Sequence, residues 1–180
     1  MKLTARKMAF IALFTALMAV FSQISIPIGP VPINLALLAI FTAGGLLSAG
    51  QAVCSVLLFL LLGAAGLPIF AGFKAGLGAL AGPTGGYLIG YLPAAFCTGL
   101  FCKKQQSFWR WASGMTLGLA LCYLFGTTWF VLSTKSEIWH ALCVCVFPFL
   151  PGDAVKIALA AYLSLRIGKI MGRSRNGMAA

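Results

Sequence analysis

Acidic side chains are almost absent from this chain: Glu137 and Asp153 are the only two, and His140 is the only histidine. Acid/base catalysis by paired carboxylates and metal sites of His, Asp and Glu both need several such groups. The sequence therefore predicts no catalytic residues and no metal site. The six cysteines form no CxxC motif, and most lie in apolar runs, which favours a packing role.

Charge of either sign is scarce. Charged residues make up 8% of the 180 residues, hydrophobic residues make up 61%, and the mean hydropathy is +1.02. A soluble domain carries about 25% charged residues, so this composition excludes a water-soluble or disordered chain. The net charge of +11 comes from short basic clusters between uncharged runs, which excludes a nucleic-acid-binding face. The composition predicts an all-α membrane protein.

Long uncharged runs predict six membrane-spanning helices in one domain, residues 1–180. The uncharged run from Met8 to Phe73 is long enough for three spans of about 20 residues each. Proline and glycine divide it, at IPIGPVPI and again near Gly50. The predicted spans cover approximately residues 8–26, 34–49, 51–66, 84–101, 111–132 and 143–167.

The basic residues test this count, because cytoplasmic loops of membrane proteins are enriched in Lys and Arg. Six spans place three basic clusters on one side, which predicts that both termini are cytoplasmic. The clusters comprise Lys2, Arg6, Lys7, Lys103, Lys104, Arg110, Arg166, Lys169, Arg173 and Arg175. The apolar N-terminal stretch is interpreted as the first span and not as a cleaved signal, because no A-x-A-like site follows it.

One acid and one base fall inside a predicted span, at Asp153 and Lys156 in PGDAVK. Charged residues within a membrane are costly, and they mark functional sites by default. The i, i+3 spacing places both side chains on one helix face. If Arg166 marks the cytoplasmic interface, the pair lies about 10 Å below the outer interface. The pair is predicted to bind a polar group that carries both N–H and C=O, the alternative being mutual neutralisation.

A glycine-rich loop lies between the third and fourth spans, on the predicted outer side. Its GPTGGY motif has no Lys-Ser/Thr after the glycines, so it is not a nucleotide-binding loop. The segment from Phe70 to Thr84 is predicted to form a lid over the ligand, whereas Gly86 and Gly90 are predicted to pack against another helix. The predicted ligand contacts of this region are Phe70, Gly72, Phe73, Gly82, Thr84, Gly85 and Tyr87.

Three lesser signals leave alternatives open. Alanines at spacings of four and three residues form a stripe on the first span, which packs either within the bundle or against a partner subunit. These are Ala5, Ala9, Ala12, Ala16 and Ala19. Asn34 either caps the second span or contacts ligand, and Tyr123 either faces ligand or packs in the interior. Trp109 and Trp111 are predicted to form an interfacial belt.

Four motifs together resemble the BioY family, the biotin-binding S components of energy-coupling-factor (ECF) transporters. They are QISIPIGPVPI, GAAGLPIFAGF, GPTGGYLIGY and PGDAVKIALA, in that order along the chain. The resemblance implies a six-helix protein of the bacterial cell membrane that captures biotin from the outer side. It also implies a transmembrane scaffold subunit and two ATPase subunits as partners, with the scaffold docked partly on the alanine stripe. No cofactor is implied, since biotin is the transported substrate.

Within that resemblance, Asp153 and Lys156 are the polar ligand contacts, and the glycine-rich loop is the lid. The ureido ring and the carboxylate of biotin lie at opposite ends of its valerate tail. Two groups one helical turn apart are expected to bind one end, so Asp153 is predicted to accept a ureido N–H and Lys156 to donate to the ureido carbonyl or stay paired with Asp153. The carboxylate is then expected near the lid, close to backbone N–H groups or Lys74. The alternatives are an S component for another vitamin and an intramembrane enzyme.

Overall fold

Helices account for most of the described chain. A computed structural model describes residues 4–27, 31–102 and 107–170, and of residues 169 and 170 the main chain only. Its elements are α1 (Ala5–Gln23), β1 (Ser25–Ile26), β2 (Ile33–Asn34), α2 (Ala36–Leu46), α3 (Ala49–Ala64), α4 (Leu77–Ala81), α5 (Gly85–Phe101), α6 (Phe108–Thr134), α7 (Ile138–Cys145) and α8 (Leu150–Ile170).

Each predicted span corresponds to one of the six longer helices, α1, α2, α3, α5, α6 and α8. By length and composition, α1 and α6 are candidate membrane spans, and α7 with α8 forms a third that is bent by 51°. Helices α2, α3 and α5 are apolar but shorter, and the 11 residues of α2 extend about 16 Å, half of a bilayer core. The chain is thus mostly helical with two or three candidate spans, and the count of six crossings stays a prediction.

Three local features differ from the sequence prediction. Strands β1 and β2 pair antiparallel over two residues each, so the protein is not purely α-helical. The helix α4 lies inside the predicted lid. The sixth predicted span does not run unbroken from Cys143, because Pro148 between α7 and α8 has no N–H to continue the helix.

Glycines bring α5 and α6 into close contact. A Cβ atom on Gly86 would lie 2.2 Å from Cβ of Trp129, and one on Gly90 would lie 3.0 Å from Cα of Cys122. The packing role predicted for Gly86 and Gly90 is therefore confirmed. Small residues at these positions let two helix backbones approach closely, which is the usual means of association in lipid.

The alanine stripe faces away from the bundle over most of its length. Ala5, Ala9, Ala12 and Ala16 are exposed, whereas Ala19 is half-buried and packs on the core. The opposite face of α1 buries Ile11, Phe14, Thr15, Met18 and Ser22. The stripe is thus largely free of contacts within the described bundle.

The predicted aromatic belt beside Arg110 is half right. Trp109 is 79% exposed, as a side chain at the membrane interface would be, but Trp111 is 1% exposed and belongs to the hydrophobic core. The two residues point in different directions because successive side chains of a helix are rotated by about 100°.

Candidate binding site

A cavity lies at one end of the bundle, and its empty volume is about 770 Å³, part of which is open solvent. Seven predicted ligand contacts line it: Asn34, Phe70, Thr84, Tyr87, Tyr123, Asp153 and Lys156. As ligand contacts they stay predictions, but the fold brings together residues from five separate segments of the chain.

The polar floor of the cavity is the pair on α8. Lys156 Nζ donates to Asp153 Oδ1 at 2.6 Å, and the two residues are 5% and 1% exposed. Pro151 and Gly152 occupy the first turn of α8, and the main-chain N–H of Asp153 donates to the carbonyl of Phe149 at 2.8 Å. The structure confirms that both side chains share one helix face. They neutralise each other and also border a hollow, so the two interpretations of the pair are compatible.

A third polar group reaches the floor from α6. The Tyr123 hydroxyl donates to Asp153 Oδ2 at 2.5 Å, so each carboxylate oxygen has a donor. A buried carboxylate is tolerated only when it is paired and hydrogen-bonded. Tyr123 is half-buried and lines the cavity, so its position is compatible with both predicted alternatives, and its contact with ligand stays a prediction.

Aromatic rings form the walls, and glycines make room for them. The Phe70 ring packs edge-on against Phe59 with centroids 5.4 Å apart, and a Cβ on Gly63 would lie 2.1 Å from Phe70 Cζ. On the other side, the Tyr87 hydroxyl pairs with the Thr127 hydroxyl at 3.1 Å. The Tyr87 ring lies over Gly126, where a Cβ would come within 2.2 Å of it.

Asn34 caps the second predicted span, whereas its contact with ligand stays a prediction. Its Oδ1 accepts the N–H of Ala36 at 3.0 Å, which caps the first turn of α2. Its side chain also lines the cavity. The Asn34 side chain is also hydrogen-bonded to the side chain of Tyr91, another residue of the cavity lining.

The segment between α3 and α5, which we call the lid, is fastened to the last turn of α1. Gln23 Nε2 donates to the Phe70 carbonyl at 3.1 Å, and Gln23 Oε1 accepts the Phe73 N–H at 3.0 Å. The Ser22 hydroxyl donates to the Ile69 carbonyl. Gly66, Gly72 and Gly76 have φ values of 108°, 71° and 80°, which L-residues rarely adopt. The lid is therefore a folded segment with specific anchors.

Four predicted lid contacts lie away from the cavity lining. Gly72 is a turn residue, and Phe73 beside it is 70% exposed with a φ of 58°. The Gly82 carbonyl accepts the Trp129 indole N–H at 2.9 Å, which ties the lid to α6. A Cβ on Gly85 would lie 1.6 Å from the Leu80 carbonyl oxygen, so Gly85 lets α4 fold back on α5. These residues shape the lid from outside the hollow.

Other lining residues were not predicted. They are Ser22, Val31, Pro32, Leu37, Phe59, Ala71, Ala79, Leu88, Tyr91, Cys122 and Phe149. Tyr91 could have been found, because it lies one helical turn after Tyr87 on the same face of α5. The positions at the hairpin and on α3 carry no sequence signal, since apolar residues there fit any packed interior.

The described basic clusters lie at the opposite end of the bundle from the cavity, which we call the basic end. Arg6 and Lys7 start α1, whose other end contributes Ser22 to the cavity. Arg110 lies near the start of α6, and Arg166 lies 13 residues after Asp153 on α8, about 20 Å away. Lys2, Lys103, Lys104, Arg173 and Arg175, and the side chain of Lys169, lie outside the described residues.

Among the described residues, no three His, Cys, Asp or Glu side chains come together in a way that could hold a metal ion. Two cations and one anion line the cavity, because Lys74 joins Asp153 and Lys156. Lys74 is exposed on the lid, whereas the other two are buried. The site therefore offers hydrogen-bonding groups at the floor and a positive charge at the rim.

Comparisons with known proteins point to one family. A sequence profile of the BioY family matches residues 1–173. A Thermotoga maritima protein named "Biotin transporter BioY" is 41% identical over 167 residues, which cover 92% of this chain and 97% of the relative. A "Probable biotin transporter BioY" from Pyrococcus horikoshii is 38% identical, covering 91% and 96%. A 2.1 Å crystal structure of the S-component for biotin from an ECF-type ABC transporter superposes with a TM-score of 0.87 at 30% identity, covering 93% and 95%.

Proposed function

Because this chain belongs to the BioY family, we propose that it is the membrane subunit that binds biotin and delivers it into the cell. The observation that carries the proposal is the buried Asp153–Lys156 pair at the floor of the cavity. The relatives named as biotin transporters and the biotin S-component of similar fold support biotin as the substrate. Such subunits bind and move a solute, so no enzymatic activity is proposed.

We place the protein in the bacterial inner membrane as a single domain of six crossings. The described members of the basic clusters, Arg6, Lys7, Arg110 and Arg166, lie at the end away from the cavity, which supports cytoplasmic termini and an outward-facing cavity. Helix α2 is too short to cross the bilayer core alone, and the paired strands β1 and β2 before it extend through part of the remaining thickness. The lid then lies on the outer side, where the ligand arrives.

The ureido ring of biotin is proposed to lie on the polar floor. Asp153 accepts a ureido N–H, and Lys156 donates to the ureido carbonyl with N–H groups that Asp153 does not use. The valerate tail then runs between the aromatic walls, and the carboxylate reaches the lid near Lys74. This orientation matches buried hydrogen-bonding groups to the polar ring and leaves the ionised carboxylate near the open rim.

The partners proposed are an ECF transmembrane scaffold subunit and two ATPase subunits, in addition to the lipid bilayer. The structural neighbour comes from an ECF-type ABC transporter. The exposed stripe of Ala5, Ala9, Ala12 and Ala16 supports docking on α1, because a helix of the scaffold could approach it closely.

Binding of tritiated biotin to the detergent-purified protein tests the proposal. Lys156→Met and Asp153→Asn each remove one partner of the buried pair, so biotin affinity should fall by at least about thirtyfold. Arg166→Met is the matched control, since it removes an exposed cation from the same helix at the basic end. Unchanged binding by Lys156→Met would contradict the proposed site. Binding of riboflavin or thiamine in place of biotin would contradict the proposed substrate.

Biotin analogues test the orientation of the ligand. Biotin amide should lose little affinity, whereas analogues with an altered ureido ring should lose much more. The opposite order would place the carboxylate at Lys156.

A further inference from the structure

Tyr123 meets the carboxylate of Asp153 from a different helix than Lys156 does. Its hydroxyl donates to Oδ2 at 2.5 Å, whereas Lys156 Nζ donates to Oδ1 at 2.6 Å from within α8. Asp153 is 1% exposed, so its orientation is fixed from two sides. Tyr123 is half-buried and lines the cavity.

The hydrogen-bonding state of Tyr123 follows from its chemistry. A phenol carries one hydrogen, and here Asp153 takes it, so the lone pairs of the oxygen are what remains for a ligand. Lys156 keeps two of its three N–H donors for other partners. The floor thus carries two neighbouring acceptors, Asp153 and Tyr123, beside one donor.

Tyr87, a second of the tyrosines that line the cavity, is engaged elsewhere. The Tyr87 hydroxyl pairs with Thr127 at 3.1 Å, and its ring packs on Gly126. This hydroxyl is directed into the α5–α6 contact, so it does not serve the acidic floor in the same way.

We propose that Tyr123 is a specificity-determining residue whose oxygen accepts a second N–H of the ligand ring, next to the one that Asp153 accepts. The floor then selects a cyclic urea, which has two N–H groups flanking one C=O, over rings with a single N–H. This inference rests on the proposed function, because it assigns a contact within the same biotin site.

Tyr123→Phe tests the inference with three ligands: biotin and its two cyclic carbamate analogues, each with a ring oxygen in place of one ureido N–H. Wild-type protein should bind biotin more tightly than either analogue. In Tyr123→Phe, the preference for biotin over one of the analogues should fall roughly tenfold, which is the value of one hydrogen bond to the missing acceptor. The other analogue lacks the N–H that Asp153 accepts. Because Asp153 is unchanged in the variant, the preference for biotin over this analogue should stay the same.

A second variant separates the acceptor from the support that Tyr123 gives to Asp153. Tyr123→Trp supplies an N–H donor for the carboxylate but no acceptor, so it should show the same selective loss. It also replaces Tyr123→Phe if that variant does not fold. Tyr162→Phe is the matched control, because this exposed hydroxyl accepts from Arg166 near the basic end, and all three affinities should stay unchanged.

The outcomes are distinct. Equal losses of affinity for all three ligands would assign Tyr123 a structural role only and overturn the inference. Unchanged affinities in both variants would overturn it as well. Failure of the wild-type protein to bind biotin would overturn the proposed function itself and would be seen before any variant is made.

Discussion

The cavity end and the basic end of the bundle are held together in different ways. At the cavity end, aromatic rings rest on glycines and surround an open space, as Phe70 does on Gly63 and Tyr87 does on Gly126. At the basic end, backbones meet almost directly: a Cβ on Gly99 would lie 2.5 Å from Cα of Ala49, and one on Gly44 would lie 3.2 Å from the main-chain N of Gly99.

This difference shows which end can accommodate a ligand without large rearrangement. Rings around a hollow can shift within their rotamers, whereas close-packed backbone contacts transmit strain and do not open locally. A ligand taken up at the cavity end therefore cannot leave past α2, α3 and α5 at the basic end unless whole helices move. The proposed transport step accordingly needs a change in the orientation of the helices, which partner subunits on α1 could drive.

The largest effect is expected at the basic end, from Gly99→Ala. The added methyl group would meet the backbone of Ala49 at 2.5 Å to Cα and 2.9 Å to N, which cannot turn aside as a side chain can. Overpacking costs about 1–3 kcal/mol and sometimes more, so the midpoint of thermal unfolding in detergent should fall by roughly 5 °C or more.

Gly168→Ala is the control for this prediction, because no heavy atom of the described residues lies within 4 Å of a Cβ built there. It lies on α8 near the same end, and alanine should leave the midpoint unchanged or raise it slightly. Equal midpoints for the two variants would mean that the basic end is looser than its geometry indicates.

Gln23→Ala should act at the cavity end and change ligand exchange more than stability. It removes the hydrogen bonds to Phe70 and Phe73 that fasten the lid to α1. Each such bond contributes about 1 kcal/mol net, so dissociation of biotin should become roughly ten times faster or more. A filter-binding chase with unlabelled biotin measures the rate.

Gln51 offers a matched control, since it is a buried glutamine at the other end of the bundle. Its Oε1 accepts the Ser48 N–H at 3.1 Å in the capping box of α3. Gln51→Ala should lower the unfolding midpoint but leave the dissociation rate of biotin unchanged. If the two variants changed the rate equally, the lid would not be what retains the ligand.

The sequence is informative about helices because hydropathy and helix breakers act locally. It predicts the positions of the longer helices within a few residues and the shared face of Asp153 and Lys156, and both follow from helix geometry alone. It misses the break at Pro148, because the surrounding residues are apolar enough for an unbroken span. Hydropathy indicates whether a segment lies in an apolar environment, but it does not show where the axis of a helix bends.

The site is less predictable, because it depends on which way loop residues turn. Glycine density identifies the lid, but it does not show that Phe70 turns inward against Gly63 while Phe73 turns outward. That outcome depends on Gln23, which lies some 50 positions earlier in the chain and binds the lid backbone. Tyr123 and Asp153 are likewise brought together by packing of α6 on α8, which no local pattern encodes.

The smallest effect is expected from Lys74→Gln at the rim of the cavity. Lys74 is exposed, and exposed ion pairs contribute little, so biotin affinity should fall by at most about fivefold. Biotin amide has no carboxylate and should bind the variant and the wild type equally. Added salt should weaken biotin binding to the wild type more than to the variant, because it screens this pair. Lys135→Gln, another exposed lysine away from the cavity lining, is the control. An equal loss for biotin and its amide would contradict a contact between Lys74 and the carboxylate. A biotin-specific loss as large as that of Lys156→Met would instead mean that this contact is stronger than an exposed ion pair.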